Sequence, residues 1–171
     1  MDSDSVTTGD LVPLDSNPAL DLRKLKKLHD VLLDVSKAES VPQEEFDKIV
    51  KDKASNPFGV DHNYCFGGTE AEPREIARVQ GSTGRTLTVL STAAGVQCYT
   101  ANYIQKLTGK NAAQYHQWQA VCLETQSYPN SICVDGQKHP EFKKGETFIL
   151  RPGQDSYWHR AVYRMGVNSG Q

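Results

Sequence analysis

The sequence predicts a mainly β protein of short antiparallel strands, with a small helical insertion near the N-terminus. Three observations carry this. From Asp61 onward, short apolar and aromatic runs are bounded by Gly, Pro and Asn rather than spaced at 3.6 residues. Gly81-Ser82-Thr83-Gly84 separates two strand-like runs, as a hairpin turn would. Helical periodicity is confined to the region before residue 54.

Taken in order, residues 1–17 read as loop, broken by Gly9 and Pro13. Leu22, Leu25, Leu28, Leu32 and Val35 recur at helical spacing with lysines interleaved, which predicts a helix over residues 22–35. A second short helix follows Pro42 over residues 43–53, with Phe46, Ile49 and Val50 on one side. Asn56-Pro57-Phe58-Gly59 ends it. Tyr64-Cys65-Phe66, residues 75–80, 85–91 and 96–100 then read as strands. Within the last of these, Gln97 and Tyr99 face away from Val96 and Cys98. Residues 101–119 are mixed. A strand through Glu124 follows, then a Pro- and Gly-rich loop over 129–145, a short strand at 148–151 and a final strand over 157–163.

A chain of 171 residues with 37% hydrophobic residues fits one domain with a real core: a loop and helical lead-in over 1–60, and a strand-rich region over 61–171. A net charge of −2 gives no field for nucleic acid or an anionic membrane surface. No apolar run reaches the roughly 18 residues that span a bilayer, and the acidic N-terminus is unlike a signal peptide. These features predict a soluble, cytoplasmic protein. Cys65, Cys98, Cys122 and Cys133 form no Cys-x-x-Cys pair, so buried free thiols are expected rather than disulfides or zinc ligands. No His or Cys spacing suggests a metal site.

Three polar residues sit where the pattern expects something else. Asp61 opens the strand region, Gln97 interrupts Val96-Gln97-Cys98-Tyr99, and Glu124 interrupts Val121-Cys122-Leu123-Glu124-Thr125. Each has a plain explanation: Asp61 as a turn cap, Gln97 as a solvated side chain, Glu124 as a partner for a surface lysine. Together with Tyr99, Trp118 and Tyr128 they also suit a sugar site. Carboxylate and amide groups bind hydroxyls, and aromatic faces cover the apolar side of a pyranose.

Gly59-Val60-Asp61-His62-Asn63-Tyr64-Cys65-Phe66, Gly95-Val96-Gln97-Cys98-Tyr99-Thr100-Ala101-Asn102-Tyr103 and Cys122-Leu123-Glu124-Thr125-Gln126 stand in the order found in one family. So do Tyr128-Pro129, His139-Pro140-Glu141-Phe142 and Leu150-Arg151-Pro152-Gly153. The sequence resembles the aldose 1-epimerases, or galactose mutarotases, over nearly its whole length. That resemblance implies a twisted β-sandwich whose concave face binds an aldohexose such as galactose or glucose. Glu124 matches the family's general base, and Asp61 and Gln97 match residues that hold sugar hydroxyls. Partial burial of Glu124 is expected, because burial brings a carboxyl pKa toward the working pH of a base. No cofactor is implied.

The upstream half of the family pattern, including the motif with the acid histidine, has no counterpart in these residues. His116, His139 and His159 do not match the acid position, and His139 reads as structural. The resemblance therefore implies an isomerase chain carrying the base half of an acid–base pair, or a carbohydrate-binding remnant without turnover. Uncovered sheet edges and faces leave room for self-association. A hexose-phosphate mutarotase would need grouped basic residues for the phosphate, and none is evident.

Overall fold

The computed structural model describes residues 6–52, 58–67, 71–133, 150–154 and 156–167. Its architecture is mainly antiparallel β. The strands are β1 (Asp61–Cys65), β2 (Arg74–Gln80), β3 (Arg85–Ser91), β4 (Gly95–Tyr99), β5 (Leu107–Thr108), β6 (Gln114–Tyr115), β7 (Cys122–Gln126) and β8 (Ala161–Val167). They form sheets ordered β1-β4-β7, β2-β3-β8 and β5-β6. The helices α1 (Leu28–Ala38) and α2 (Gln43–Asp52) precede them. The chain divides into two compact units: one of Met1–Asp10, Asn63–Gln97 and Leu123–Gln171, the other of Leu11–His62 and Cys98–Cys122.

The first unit holds the sandwich core. Gly81–Gly84 makes the expected turn, with the Gly84 N–H donating to Gly81 O and the Gly81 N–H to Arg85 O. β2 and β3 pair antiparallel through Arg78↔Thr88, with a bulge between Glu75 and Ala77. β8 completes the sheet, pairing Val89 with Tyr163 and Ser91 with Ala161. Ile76 and Val89 from this sheet meet Val96 from the other, with Tyr64, Ala77, Leu87 and Leu123 packed around them. This apolar layer is what holds two sheets face to face.

The second unit is organised around aromatic rings. Phe46 of α2 is fully buried and packs on His29, Phe58 and Trp118, with ring centroids 5.6, 6.0 and 5.9 Å away. The Trp118 Nε1–H donates to Phe58 O at 3.0 Å, which satisfies the one polar atom of the indole. Val60 is tied beside them: its N–H donates to Thr100 Oγ1 at 3.0 Å and its carbonyl accepts from Asn102 Nδ2 at 3.1 Å.

Helix α1 starts six residues later than its periodicity suggests. Asp21 Oδ1 accepts from the Arg23 backbone N–H at 3.0 Å and from its Nε at 2.9 Å. That local turn competes with helical hydrogen bonding and leaves Leu25 73% exposed. The same Arg23 side-chain and backbone hydrogen bonds pull the Asp21 carboxyl down to about 2. α1 buries Val31, Leu32 and Val35 and stops at Ser40, in the left-handed region at φ 59°. Val41 N–H then donates to Ser36 O and Ser40 N–H to Lys37 O, a Schellman closure, before Pro42 leads into α2.

Three other expectations are corrected. The last strand begins at Ala161 rather than 157, because the ladder with β3 starts at Ser91↔Ala161. Of the four free cysteines only Cys98 is buried; Cys65, Cys122 and Cys133 are exposed. Cys122 lies one residue out of phase with the inward-packing Leu123, which places it on the opposite side of β7. Burial pushes the Cys98 thiol up to about 11, with smaller contributions from Asp61 and Cys122. Of the strand expected at 148–151, residues 148 and 149 lie outside the described residues, and Leu150 and Arg151 are not in a strand.

Candidate functional site

Strand alternation builds a polar face on the sheet β1-β4-β7. Val96 and Leu123 point into the sandwich core, so Gln97 and Glu124, one residue on in each case, project from the other side of neighbouring strands. Gly95 decides what happens between them. Without a side chain there, Asn63 of β1 reaches over β4, and Gln126 of β7 donates through Nε2 to its Oδ1 at 3.1 Å. A Cβ at Gly95 would lie 2.8 Å from Asn63 Nδ2, so only glycine leaves room for this bond. Asn63, Gln97, Glu124 and Gln126 thus share one face, built on strands whose reverse side is the apolar core.

The sequence singles out Gln97 and Glu124, and the structure brings these two onto that face. Gln97 is half-buried. Glu124 is exposed, against the partial burial expected of it, and among the described residues β7 lies at one end of its sheet. Asp61 opens β1 in the second unit and is exposed. Its backbone N–H donates to His62 Nδ1 at 3.1 Å. The His62 ring lines a cleft of about 180 Å³ with Asn17, Ala19, Leu20, Val35, Ala38 and Glu39. Desolvation there lowers the His62 pKa, opposed by the Asp61 charge, and desolvation raises that of Glu39.

The aromatic residues divide differently from the sequence expectation. Trp118 belongs to the Phe46 cluster, and Tyr128 is buried against Ala94 with its hydroxyl accepting from the Gly67 N–H at 3.1 Å. Tyr128, 3% exposed, has no ring face open to a sugar. Tyr99 is half-buried, stacks on Tyr103 with centroids 6.4 Å apart, and accepts from the Tyr103 N–H through its hydroxyl. Nothing in their own segments marks Asn63 and Gln126; Gly95, the first residue of β4, is their one local signal. His139 lies outside the described residues. Among the described residues, no group of three or more His, Cys, Asp and Glu could hold a metal ion, and no helix is long and apolar enough to cross a membrane.

Comparison with known proteins agrees with this architecture. The sequence model of the aldose 1-epimerase family matches residues 1–156. The chain is similar to galactose mutarotase of Homo sapiens, 32% identical over 169 residues that make up 98% of this chain and 40% of the human protein. It is similar to galactose mutarotase of Mus musculus, 38% identical over 111 residues, or 64% of this chain and 30% of the mouse protein. Aldose 1-epimerase of Escherichia coli (strain K12) is 28% identical over 98 residues, 57% of this chain and 27% of that protein. The chain thus spans 40% or less of the length of these relatives.

Proposed function

The chain belongs to the aldose 1-epimerase family, and on that premise we propose that it carries the general-base half of a site interconverting the α and β anomers of aldohexoses such as galactose and glucose. Glu124 is the base, and Asp61 and Gln97 bind sugar hydroxyls. The observation that supports this reading is the polar face levelled by Gly95, where a carboxylate stands among amide side chains suited to hydroxyl recognition.

In this reading Glu124 takes the proton of the anomeric hydroxyl. The ring C–O bond breaks as the ring oxygen gains a proton from an acid, leaving an open-chain aldehyde. Rotation about C1–C2 and attack of the hydroxyl formed from the ring oxygen on the other face of the carbonyl close the opposite anomer, as that hydroxyl returns its proton to the acid and the carbonyl oxygen takes one back from Glu124. The exchange is redox-neutral and consists of paired proton transfers. The acid histidine of the family pattern has no match in these residues, so turnover by this chain alone is expected to be on the order of 10²–10⁴-fold below that of a complete acid–base pair. A cytoplasmic location goes with this reading.

Polarimetry on freshly dissolved α-D-glucose and α-D-galactose tests it. Weak anomer exchange above the buffer rate, lost in Glu124→Gln, is the expected result. Near-full exchange that the substitution abolishes would refute the missing acid. Sugar binding by calorimetry, with no effect on anomer exchange, would select the carbohydrate-binding alternative. Self-association is part of the proposal as well. Tyr163, Met165 and Val167 pair with Val89, Leu87 and Arg85 on the core-facing side of β8, and they are exposed.

A further inference from the structure

Outside the polar face, one histidine joins the two sheets of the sandwich. His159 Nε2 lies 3.1 Å from Ser91 Oγ at the end of β3 and 3.0 Å from Thr125 Oγ1 in β7. Nε2 carries a single proton in one tautomer and a single lone pair in the other, so the two hydroxyls, which can each donate or accept, share it. The Ser91 side is rigid: Ser91 is fully buried and its Oγ already accepts from the Ala93 N–H at 3.0 Å. The His159 side is held too. The next residue, Arg160, donates its N–H to Thr92 Oγ1 and accepts from the Thr92 N–H through its carbonyl, both at 3.0 Å. Its guanidinium pairs with Glu72.

We propose that His159 is a positioning residue for Glu124, acting through Thr125. This rests on the reading of Glu124 as the base. Thr125 shares the core-facing side of β7 with Leu123, so Glu124 projects the opposite way from the same stretch of backbone. β7 lies at one end of its sheet order, with β4 as its only strand neighbour among the described residues. The imidazole supplies from the other sheet the restraint that a second strand would otherwise give. A carboxylate on an outermost strand needs such a restraint, because small displacements of a reacting group cost large factors in rate.

Amide hydrogen exchange of the full chain, read residue by residue by NMR, tests this independently of activity. His159→Ala and the volume-conserving Thr125→Val are each expected to speed exchange at residues 123–126 by roughly fivefold, the loss of one ordinary hydrogen bond. The double variant should be no faster than either single one, and amides of Ala77 and Leu87 should not change. His159→Gln, whose amide reaches the position of Nε2, should restore protection. A uniform rise including Ala77 and Leu87 would mean that the substitution weakens the whole fold rather than β7 and would overturn the proposal, as would unchanged exchange at β7. Thr125→Val carries the same reading if His159→Ala does not fold. In parallel, kcat for anomer exchange should fall about tenfold in His159→Ala with KM nearly constant. A wild-type chain with no anomer exchange would count against the function proposed above, while the β7 protection still decides the role of His159.

Discussion

Gly95→Ala probes the polar face at its narrowest point. The added Cβ would stand 2.8 Å from Asn63 Nδ2, 3.0 Å from Asn63 Oδ1 and 3.1 Å from Tyr64 O. Asn63 must give way, which breaks its bond with Gln126, about 1 kcal/mol for an ordinary hydrogen bond. The backbone carbonyl of Tyr64 has less freedom, and overpacking of this kind costs about 1–3 kcal/mol. Alanine recovers about 0.4–1 kcal/mol by restricting the unfolded chain. The net is a loss of roughly 1–3.5 kcal/mol, a fall in Tm of about 3–10 °C for a protein of this size. Differential scanning calorimetry on Gly95→Ala, Asn63→Ala and the double variant measures it. Once Asn63 is truncated, only the Tyr64 contact remains, so the same glycine change should cost about 1 kcal/mol less in that background. A Tm for Gly95→Ala within a degree or two of wild type, or an equal loss in both backgrounds, would refute the crossing of Asn63 over β4.

Two further outcomes follow from geometry elsewhere. NMR titration of His62 should give a midpoint below the 6.5 of an unperturbed imidazole, because its cleft disfavours the charged ring. The native state then binds fewer protons than the unfolded chain near that pH, so stability falls as acid is added through the imidazole range; His62→Gln should flatten that slope in denaturant titrations. Sedimentation velocity should show concentration-dependent association that Met165→Lys weakens; a monomer at every concentration in the wild-type chain would remove the case for association through β8.

How much of this is legible in the sequence depends on how local the deciding contacts are. The β2–β3 hairpin is readable because Gly81 and Gly84 make its turn within four residues. α2 is readable because Pro42 and Phe46 mark its start and its buried side. The start of α1 is not, since the Asp21–Arg23 turn outweighs a leucine repeat that continues through it. Residues 157–160 look like strand by composition, yet the β3 ladder starts only at Ala161. Gln97 and Glu124 stand out as polar breaks within apolar strands. Asn63 and Gln126 do not, because their meaning comes from which strands flank Gly95, a fact of pairing rather than of either segment. For the same reason Tyr128 reads as a sugar-stacking ring until its burial against Ala94 and its hydroxyl's bond to Gly67 are traced.

The interleaving of the two units bears on the order of events at the ribosome. The unit containing α1 and α2 has all its segments once residue 122 has been synthesised, so its aromatic cluster can close while the chain is still growing. The sandwich unit cannot. β3 must wait for Ala161–Val167 to arrive before its second edge is paired, and Ser91 must wait equally long for His159. Through that interval an apolar strand with open hydrogen-bonding groups is presented to the cell, and long-range pairing of this kind is intrinsically slow. Variants that weaken β8 should therefore lower the yield of folded protein more than they lower the stability of what does fold.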